Sequence, residues 1–400
     1  MVNVKLKILF FLGLANPSPG AAWTRIEFFA KRLSEKGHAI EFLGSFSYKH
    51  FSDRGVRKQG NFNIFNLIFN IGLDHPLAFI LNSIVSFVAS ALFLVSRKPH
   101  LAVVSVPPGD VGFGSLVACS LIRVKYVVDY RDEWEDYAIS LSNSKIRKKF
   151  YHLIKRLSVN LYLKSQVVTV VTPNFIRYLR DRGVSNLMLV PNGADIKTFR
   201  PLANRKNDEV FKIIHSGGIG GFYRLDIAIR AIKKLREIGI KNIKLIIVGV
   251  GEIEKILSIA HELNIEEAVE YRGVIKDKKK LAELICEADV GLIPYDDNPL
   301  WKNSLPAKFF EYCACGIPVI ATAYDDSLLA KLIREYELGL VVSPIDDGKL
   351  AEAINKIYHS QEFRELAGKR ARNLVEKQFD RNKIAEEFTH FLEACYSDVS

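Results

Sequence analysis

Short, uninterrupted apolar runs alternate with stretches of helical periodicity, and this plan occurs twice along the chain. In the first half, residues 7–14, 39–44, 101–106, 125–129 and 167–171 read as strands. Residues 22–36 read as a helix with Ile26, Phe29, Ala30 and Leu33 on one face and a stop at Gly37. In the second half, residues 211–215, 243–248, 269–272, 290–294, 319–321 and 340–342 are predicted strands, with helices over 224–237 and 252–263 among those between them. A strand that is apolar on both faces must be covered on both, which calls for a parallel sheet between two layers of helices. Each half is therefore predicted to be a doubly wound α/β unit.

Length agrees with this division, because 400 residues exceed one ordinary core and suit two domains. The boundary is placed in the polar, non-periodic stretch 198–208, giving domains at 1–200 and 208–380. A last helix within 381–400 lies beyond a full set of strands and is free to return to the first domain.

Several functional classes are disfavoured by composition. The five cysteines are scattered, and Cys313-x-Cys315 lacks zinc spacing or a second His or Cys pair, so no metal site is expected. The basic, apolar start resembles a signal sequence, but residues 16–20 lead directly into a helix without a small-residue cleavage site. A buried first strand and a cytoplasmic protein are expected. Net charge is uneven: residues 1–200 hold 27 Lys and Arg against 13 Asp and Glu, a net +14, whereas the remainder is −3. A basic half suits nucleic acid, anionic lipid or a phosphorylated substrate. The aromatic-basic interleaving of single-strand binders is not evident, so nucleic acid is not expected. Residues 77–96 contain no charge and could span a bilayer by length. Their asparagine and serines, and their place between two strands of one sheet, favour a buried helix or one laid on a membrane surface.

In an open α/β sheet, ligands bind beyond the carboxyl ends of the strands. Four loops there have unusual chemistry. Gly20 follows the first strand and allows close approach of a phosphate to a helix start. Arg131 and Asp132 follow the strand at 125–129 and offer charge-assisted hydrogen bonds to sugar hydroxyls. The run His215-Ser216-Gly217-Gly218-Ile219-Gly220-Gly221 is read as a loop exposing backbone N–H groups, with Arg224 adding a positive charge for a diphosphate. Its spacing is not that of a dinucleotide fingerprint. Finally, Ser304-Leu305-Pro306-Ala307-Lys308-Phe309-Phe310-Glu311 opens a helix, with Lys308 and Glu311 on one face near its start.

This last segment resembles the nucleotide-binding signature of the retaining GT-B glycosyltransferases of family 4. Val171-Thr172-Pro173, Val190–Asp195 with Phe199, the stretch Tyr271–Ile275, Ala288–Pro294 and Gly316–Ala321 resemble further patterns of that family, over nearly the whole chain. The resemblance implies a GT-B fold: two doubly wound Rossmann-like domains facing across a cleft. It implies that Glu311 binds the nucleotide ribose, that Arg224 and Lys308 meet the diphosphate, and that Gly20, Gly217 and Gly218 give the phosphates backbone room. Val274 and Ile275 would meet the base, with Ser304 and Leu305 completing the donor site. Asn303 stands where many members carry a glutamate, and Arg131-Asp132 where many have His-Asp.

The expected activity is transfer of a sugar, a hexose, from a nucleoside diphosphate donor to a glycan or lipid-linked glycan, with retention at the anomeric carbon. Arg131, Asp132 and Asn303 are the candidate catalytic residues. No cofactor and no metal are expected beyond the donor substrate. The basic first domain is expected to bind the acceptor and to meet an anionic membrane surface. A nucleotide-sugar epimerase and a non-enzymatic sugar-nucleotide or nucleic-acid binding module are the alternatives. The first needs an acid-base set that is not evident, and the second would show salt-dependent nucleic-acid binding.

Overall fold

In the computed structural model, residues 5–13, 21–73, 75–202 and 209–397 are described. The chain forms two units, Met1–Pro191 with Asn382–Ser400, and Asn192–Arg381.

The first unit contains β1 (Lys7–Leu12), α1 (Ala21–Glu35), β2 (Ala39–Ser47), β3 (Gly55–Gln59), β4 (Phe62–Asn70), α2 (Pro76–Arg97), β5 (Leu101–Val106), α3 (Gly109–Ile122) and β6 (Tyr126–Tyr130). These are followed by α4 (Trp134–Ser140), α5 (Lys145–Leu163), β7 (Val167–Val170), α6 (Pro173–Arg180) and β8 (Leu187–Leu189). The strands form one sheet in the order β3-β4-β2-β1-β5-β6-β7-β8, antiparallel only between β3 and β4. The central strands β5 and β6 are buried along their whole length, the burial expected of a parallel sheet covered on both faces. The β3–β4 hairpin was not read from the sequence. β3 has no buried position, exposed positions interrupt β4, and both lack the continuous apolar run of the inner strands.

The second unit contains β9 (Phe211–Ile219), α7 (Leu225–Glu237), β10 (Ile243–Gly251), α8 (Ile253–Glu262), β11 (Val269–Tyr271), α9 (Lys278–Cys286), β12 (Val290–Pro294) and α10 (Ala307–Ala314). Then come β13 (Val319–Thr322), α11 (Leu328–Glu335), β14 (Gly339–Val342), α12 (Asp347–Tyr358) and α13 (Gln361–Gln378). Its sheet is parallel throughout, in the order β11-β10-β9-β12-β13-β14. The order reverses between β9 and β12, so the ligand crevice of this unit is expected beyond their carboxyl ends.

The final helix α14 (Arg381–Ser397) packs on the first unit. Ile384, Ala385, Phe388 and Leu392 join a core with Phe10, Trp23, Phe29 and Phe42, and the rings of Phe388 and Phe29 lie 4.6 Å apart. Glu386 pairs with Arg32, and Glu393 lies 3.3 Å from Lys36.

The uncharged stretch 77–96 forms most of α2, and its orientation is unusual. Much of its inward side is polar. Asn82 Nδ2 donates to Asp110 at 2.8 Å, Ser86 Oγ donates to the Val111 carbonyl at 2.7 Å, and Ser90 and Ser115 share a hydroxyl contact at 3.0 Å. The two helices approach closely at Gly114, where a Cβ would stand 2.3 Å from the Ser83 carbonyl oxygen. Phe79 and Leu94 also turn inward, but an apolar stripe lies on the outer side: Leu77, Leu81, Ile84, Val88, Leu92 and Val95 are all exposed.

Candidate active site

The glycine run of the second unit differs from the loop read from the sequence. β9 continues through Gly217 and Gly218, which pair with Gly249 and Val250 of β10. The reason is a matched glycine: a Cβ on Gly249 would lie 1.7 Å from the Gly217 carbonyl oxygen, and one on Gly251 1.9 Å from that of Ile219. Only glycine allows the two strands to pair this far, and the turn begins at Gly220 and Gly221, both with positive φ. Gly217 and Gly218 are exposed at the strand tip.

Lys308 reaches this tip from the first turn of α10. A Cβ on Gly217 would come within 3.3 Å of the Lys308 side chain. The lysine is 6% exposed. Its Nζ lies 3.2 Å from His215 Nε2 and 3.6 Å from the centre of the Tyr223 ring. Burial holds the ammonium well below the ordinary lysine range, and Glu311 offsets only part of that effect. His215 is also buried, and burial together with nearby Lys308 pushes its pKa down to about 3. Its ring is clamped between carbonyls, with Nδ1 3.2 Å from the oxygen of Leu292 and Nε2 2.8 Å from that of Gly218. A neutral imidazole has one N–H, so it can donate to only one of these two carbonyls at a time.

α10 is fixed by Tyr312, whose hydroxyl accepts the Ser216 N–H at 2.9 Å and whose ring fills the space a side chain at Gly291 would need. The preceding residue Glu311, 6% exposed, holds its carboxylate 3.8 Å from the Lys278 ammonium of α9. The segment leading into α9 contains Gly273, whose carbonyl accepts the Gly249 N–H at 2.9 Å. Val274 beside it is exposed, and Ile275 packs partly into the core. Gly217, Gly218, Lys308 and Glu311 are thus linked to the start of the 273–275 segment through Gly249.

Other sequence-derived residues are placed differently. Arg224 precedes α7, and its guanidinium makes two 2.8 Å hydrogen bonds to Asp226, so it is already paired. Asn303 and Ser304 end a 3-10 turn at Pro299–Asn303, and Leu305 is buried in the core. In the first unit, Arg131 donates to the Pro107 carbonyl and lies 4.0 Å from Asp129. Asp132 is exposed and accepts the Glu133 N–H at 2.9 Å. Gly20 lies outside the described residues. The basic run of α5 is also partly committed: Lys155 pairs with Asp136 at 2.6 Å.

Sequence reasoning assigned no role to His215, Tyr223 or Lys278. The available signal for His215 was its place at the end of an apolar strand, immediately before the glycines. A second missed feature is Asp129, fully buried in β6. It accepts from Arg25 Nη2 at 3.0 Å, Ser105 Oγ at 3.0 Å and Thr169 Oγ1 at 3.0 Å. Burial alone would raise its pKa, but Arg25 and Arg131 outweigh it and hold the carboxyl below the usual range. Among the described residues, no group of three or more His, Cys, Asp or Glu side chains is gathered as a metal site.

Comparison with solved structures shows the fold. Sucrose-phosphate synthase from Thermosynechococcus elongatus superposes with a TM-score of 0.77 at 19% identity, over 98% of this chain and all of that one. Anabaena HepE in complex with UDP-glucose gives 0.70 at 15% identity, over 97% and 100%. The chain has the GT-B fold, with two Rossmann-like units. Residues 197–374, most of the second unit, match the model of the family glycosyl transferases group 1. Among curated proteins, the N-acetyl-alpha-D-glucosaminyl L-malate synthase of Bacillus anthracis is 26% identical over 246 residues, 59% of this chain and 60% of that protein. The GDP-mannose-dependent alpha-(1-6)-phosphatidylinositol dimannoside mannosyltransferase of Mycobacterium tuberculosis is 28% identical over 163 residues, 38% of this chain and 40% of that protein. The alignments thus span about three fifths and two fifths of these relatives' lengths.

Proposed function

We propose that the chain is a retaining glycosyltransferase of family 4 that transfers a hexose from a nucleoside diphosphate sugar to a glycan or lipid-linked glycan. The observation that supports this best is the placement of Lys308. A nearly buried cation, without a directly bonded carboxylate, stands against the bare backbone of Gly217 at the strand-order reversal of the unit that matches the group 1 model. That is where a diphosphate gains most from charge and from close backbone approach.

In this reading Lys308 and Arg224 hold the diphosphate, with Gly217, Gly218 and Gly20 lining it. Glu311 accepts from the ribose diol, while Val274 and Ile275 meet the base beside Ser304 and Leu305. Asn303, Arg131 and Asp132 position donor and acceptor hydroxyls. The acceptor oxygen bonds to the anomeric carbon as the bond from that carbon to the diphosphate oxygen breaks. The acceptor proton passes to the departing diphosphate on the same face, which retains configuration. The two cations stabilise the charge that develops on the leaving group, the part a metal ion plays elsewhere, so the reaction is proposed to be metal-independent. The named relatives and neighbours include a mannosyltransferase acting on a phosphatidylinositol mannoside and a protein crystallised with UDP-glucose, which supports the choice of substrate classes. The enzyme is proposed to be cytoplasmic and peripheral on the membrane, with its first unit receiving the acceptor.

The test is a screen of nucleoside diphosphate sugars that records diphosphate release with and without a lipid-linked glycan. Acceptor-dependent release from one donor, with the α-linked product of an α-donor, is expected. Absence of donor binding across the screen would remove the proposal.

A further inference from the structure

In a helix at the surface of a water-soluble unit, the apolar stripe faces inward and the polar stripe outward. α2 is built the other way round. Positions 78, 79, 82, 83, 86, 90 and 94 face inward, and four of these seven are Asn or Ser. Its outward stripe, Leu77, Leu81, Ile84, Val88, Leu92 and Val95, recurs at spacings of three and four and contains no polar residue. The hydrogen bonds to Asp110, Val111 and Ser115 fix this orientation, so the apolar side is not a loosely packed inner face. Pro76–Arg97 is the one described helix with the length and hydropathy of a membrane span, yet it lies between β4 and β5 of the same sheet and is clamped to α3.

Two neighbouring features point to what covers this stripe. An open apolar cavity of about 250 Å³ lies among α2, α3 and α5, lined by Phe79, Ile80, Ile84, Phe87, Phe113 and Ile154. Ile80 and Ile84 belong to the exposed side of α2, so the cavity opens there. The start of α5 stands beside the first turn of α2, where Phe150 packs edge-on to Phe79 at 5.7 Å. That start presents exposed Lys145, Lys148 and Lys149 together with Ile146, which is 81% exposed. A long apolar stripe bordered by lysines complements a surface that is anionic outside and hydrocarbon beneath.

We propose that α2 lies in the plane of an anionic phospholipid bilayer, with its outward stripe among the upper acyl segments, one acyl chain entering the α2–α3–α5 cavity, and the lysines of α5 at the lipid phosphates. The inference rests on the peripheral localisation proposed above and names the surface responsible for it.

The full chain should co-sediment with vesicles of phosphatidylcholine and phosphatidylglycerol, much less with phosphatidylcholine alone, and less as salt is raised. Ile84→Glu with Leu92→Glu should weaken vesicle binding by roughly tenfold or more, as should Lys148→Glu with Lys149→Glu. Ile238→Glu, at an exposed apolar site in the second unit, should leave it unchanged. If the glutamates at 84 and 92 disturb folding, as judged by circular dichroism, Ile84→Ser with Leu92→Ser asks the same question more gently. The proposal is overturned if the wild-type chain ignores anionic vesicles at low salt, or if the α2 variants bind them as the wild type does. It is also overturned if the mass in solution doubles through this face and the α2 variants abolish the doubling, which would make a second copy the occupant. Donor turnover with a soluble acceptor is measured in parallel. Its absence alongside vesicle binding would sink the transferase reading and leave the membrane face standing.

Discussion

The Lys308 ammonium lies 3.2 Å from His215 Nε2, and this contact joins two groups that burial drives toward their neutral forms. An anion-binding lysine buried in the ligand-free protein is stored in an unfavourable environment, which the proposed diphosphate would relieve. The unfolded chain protonates Lys308 up to its ordinary pKa, whereas the folded chain resists protonation. Stability therefore rises with pH between the depressed folded value and ~10.5.

Lys308→Met should accordingly stabilise the ligand-free protein at pH 7.5, by at least about 1 kcal/mol or roughly 2–4 °C in a unit of this size. It should also abolish the gain in Tm on adding a nucleoside diphosphate. Differential scanning calorimetry with and without the nucleotide checks both parts. A destabilised variant that still responds to nucleotide would show that Lys308 is a structural cation.

His215 supplies a separate acid-side effect. Its unfolded imidazole titrates near ~6.5, and the folded one near about 3. As pH falls through this window, the unfolded state gains a proton that the folded state refuses, so stability falls. Between pH 7.5 and 5.0 this group should cost about 2 kcal/mol. Urea denaturation at the two pH values should show that loss in the wild type and a smaller one in His215→Gln. Equal losses in both would assign the acid sensitivity to other groups.

Glu311→Ala should weaken donor binding by roughly ten- to a hundredfold, the value of a hydrogen bond to a charged acceptor. Isothermal titration with the donor found in the screen measures it. Arg224 is expected to behave differently, because its two bonds to Asp226 fix the direction of its guanidinium before any ligand arrives. Arg224→Ala should lower kcat more than donor affinity, since a contact that strengthens in the transition state raises turnover. A rise in KM with unchanged kcat would make Arg224 a ground-state anchor.

In the first unit, Asp129→Asn should destabilise by about 3–5 kcal/mol, because it leaves the nearly buried Arg25 without its anion. The paired replacement Arg25→Met with Asp129→Leu should cost less than Asp129→Asn alone, because it removes both charges from the interior. Chemical denaturation of the two variants decides. A single replacement as mild as a surface change would mean that Arg25 finds compensation in the Val190 and Pro191 carbonyls it already touches.

The inner strands were legible because a parallel strand covered on both faces must be largely apolar, as in Leu101–Val106 with its single serine. The edge hairpin was not, since Phe62–Asn70 alternates apolar residues with asparagine and so lacks that run. The extension of β9 depends on Gly249 meeting Gly217, two residues 32 positions apart, and no local pattern announces such a pairing. Lys308 and Glu311 could be singled out from their spacing beside a helix start. The burial of His215 and the pairing of Lys155 with Asp136 come only from tertiary packing, whereas the pairing of Arg224 with Asp226 is a local contact at the start of α7. The same holds for α2: its composition showed that the helix was uncharged, but its facing depends on where Asp110, Val111 and Ser115 stand on α3.

The return of α14 to the first unit sets an order of events during synthesis. Phe388 and Leu392 are part of the same apolar core as Phe29, yet the ribosome supplies them only after all of Asn192–Arg381 has been made. Until then the face of α1 that receives α14 has no permanent cover, whereas the second unit already holds every strand and helix of its own core. The second unit can thus reach its final structure on the nascent chain while the first waits. A chain interrupted between residues 381 and 388 would leave the tunnel with a finished second unit and an unsealed first one, a form that quality-control chaperones and proteases can recognise by the uncovered aromatic surface around Phe29.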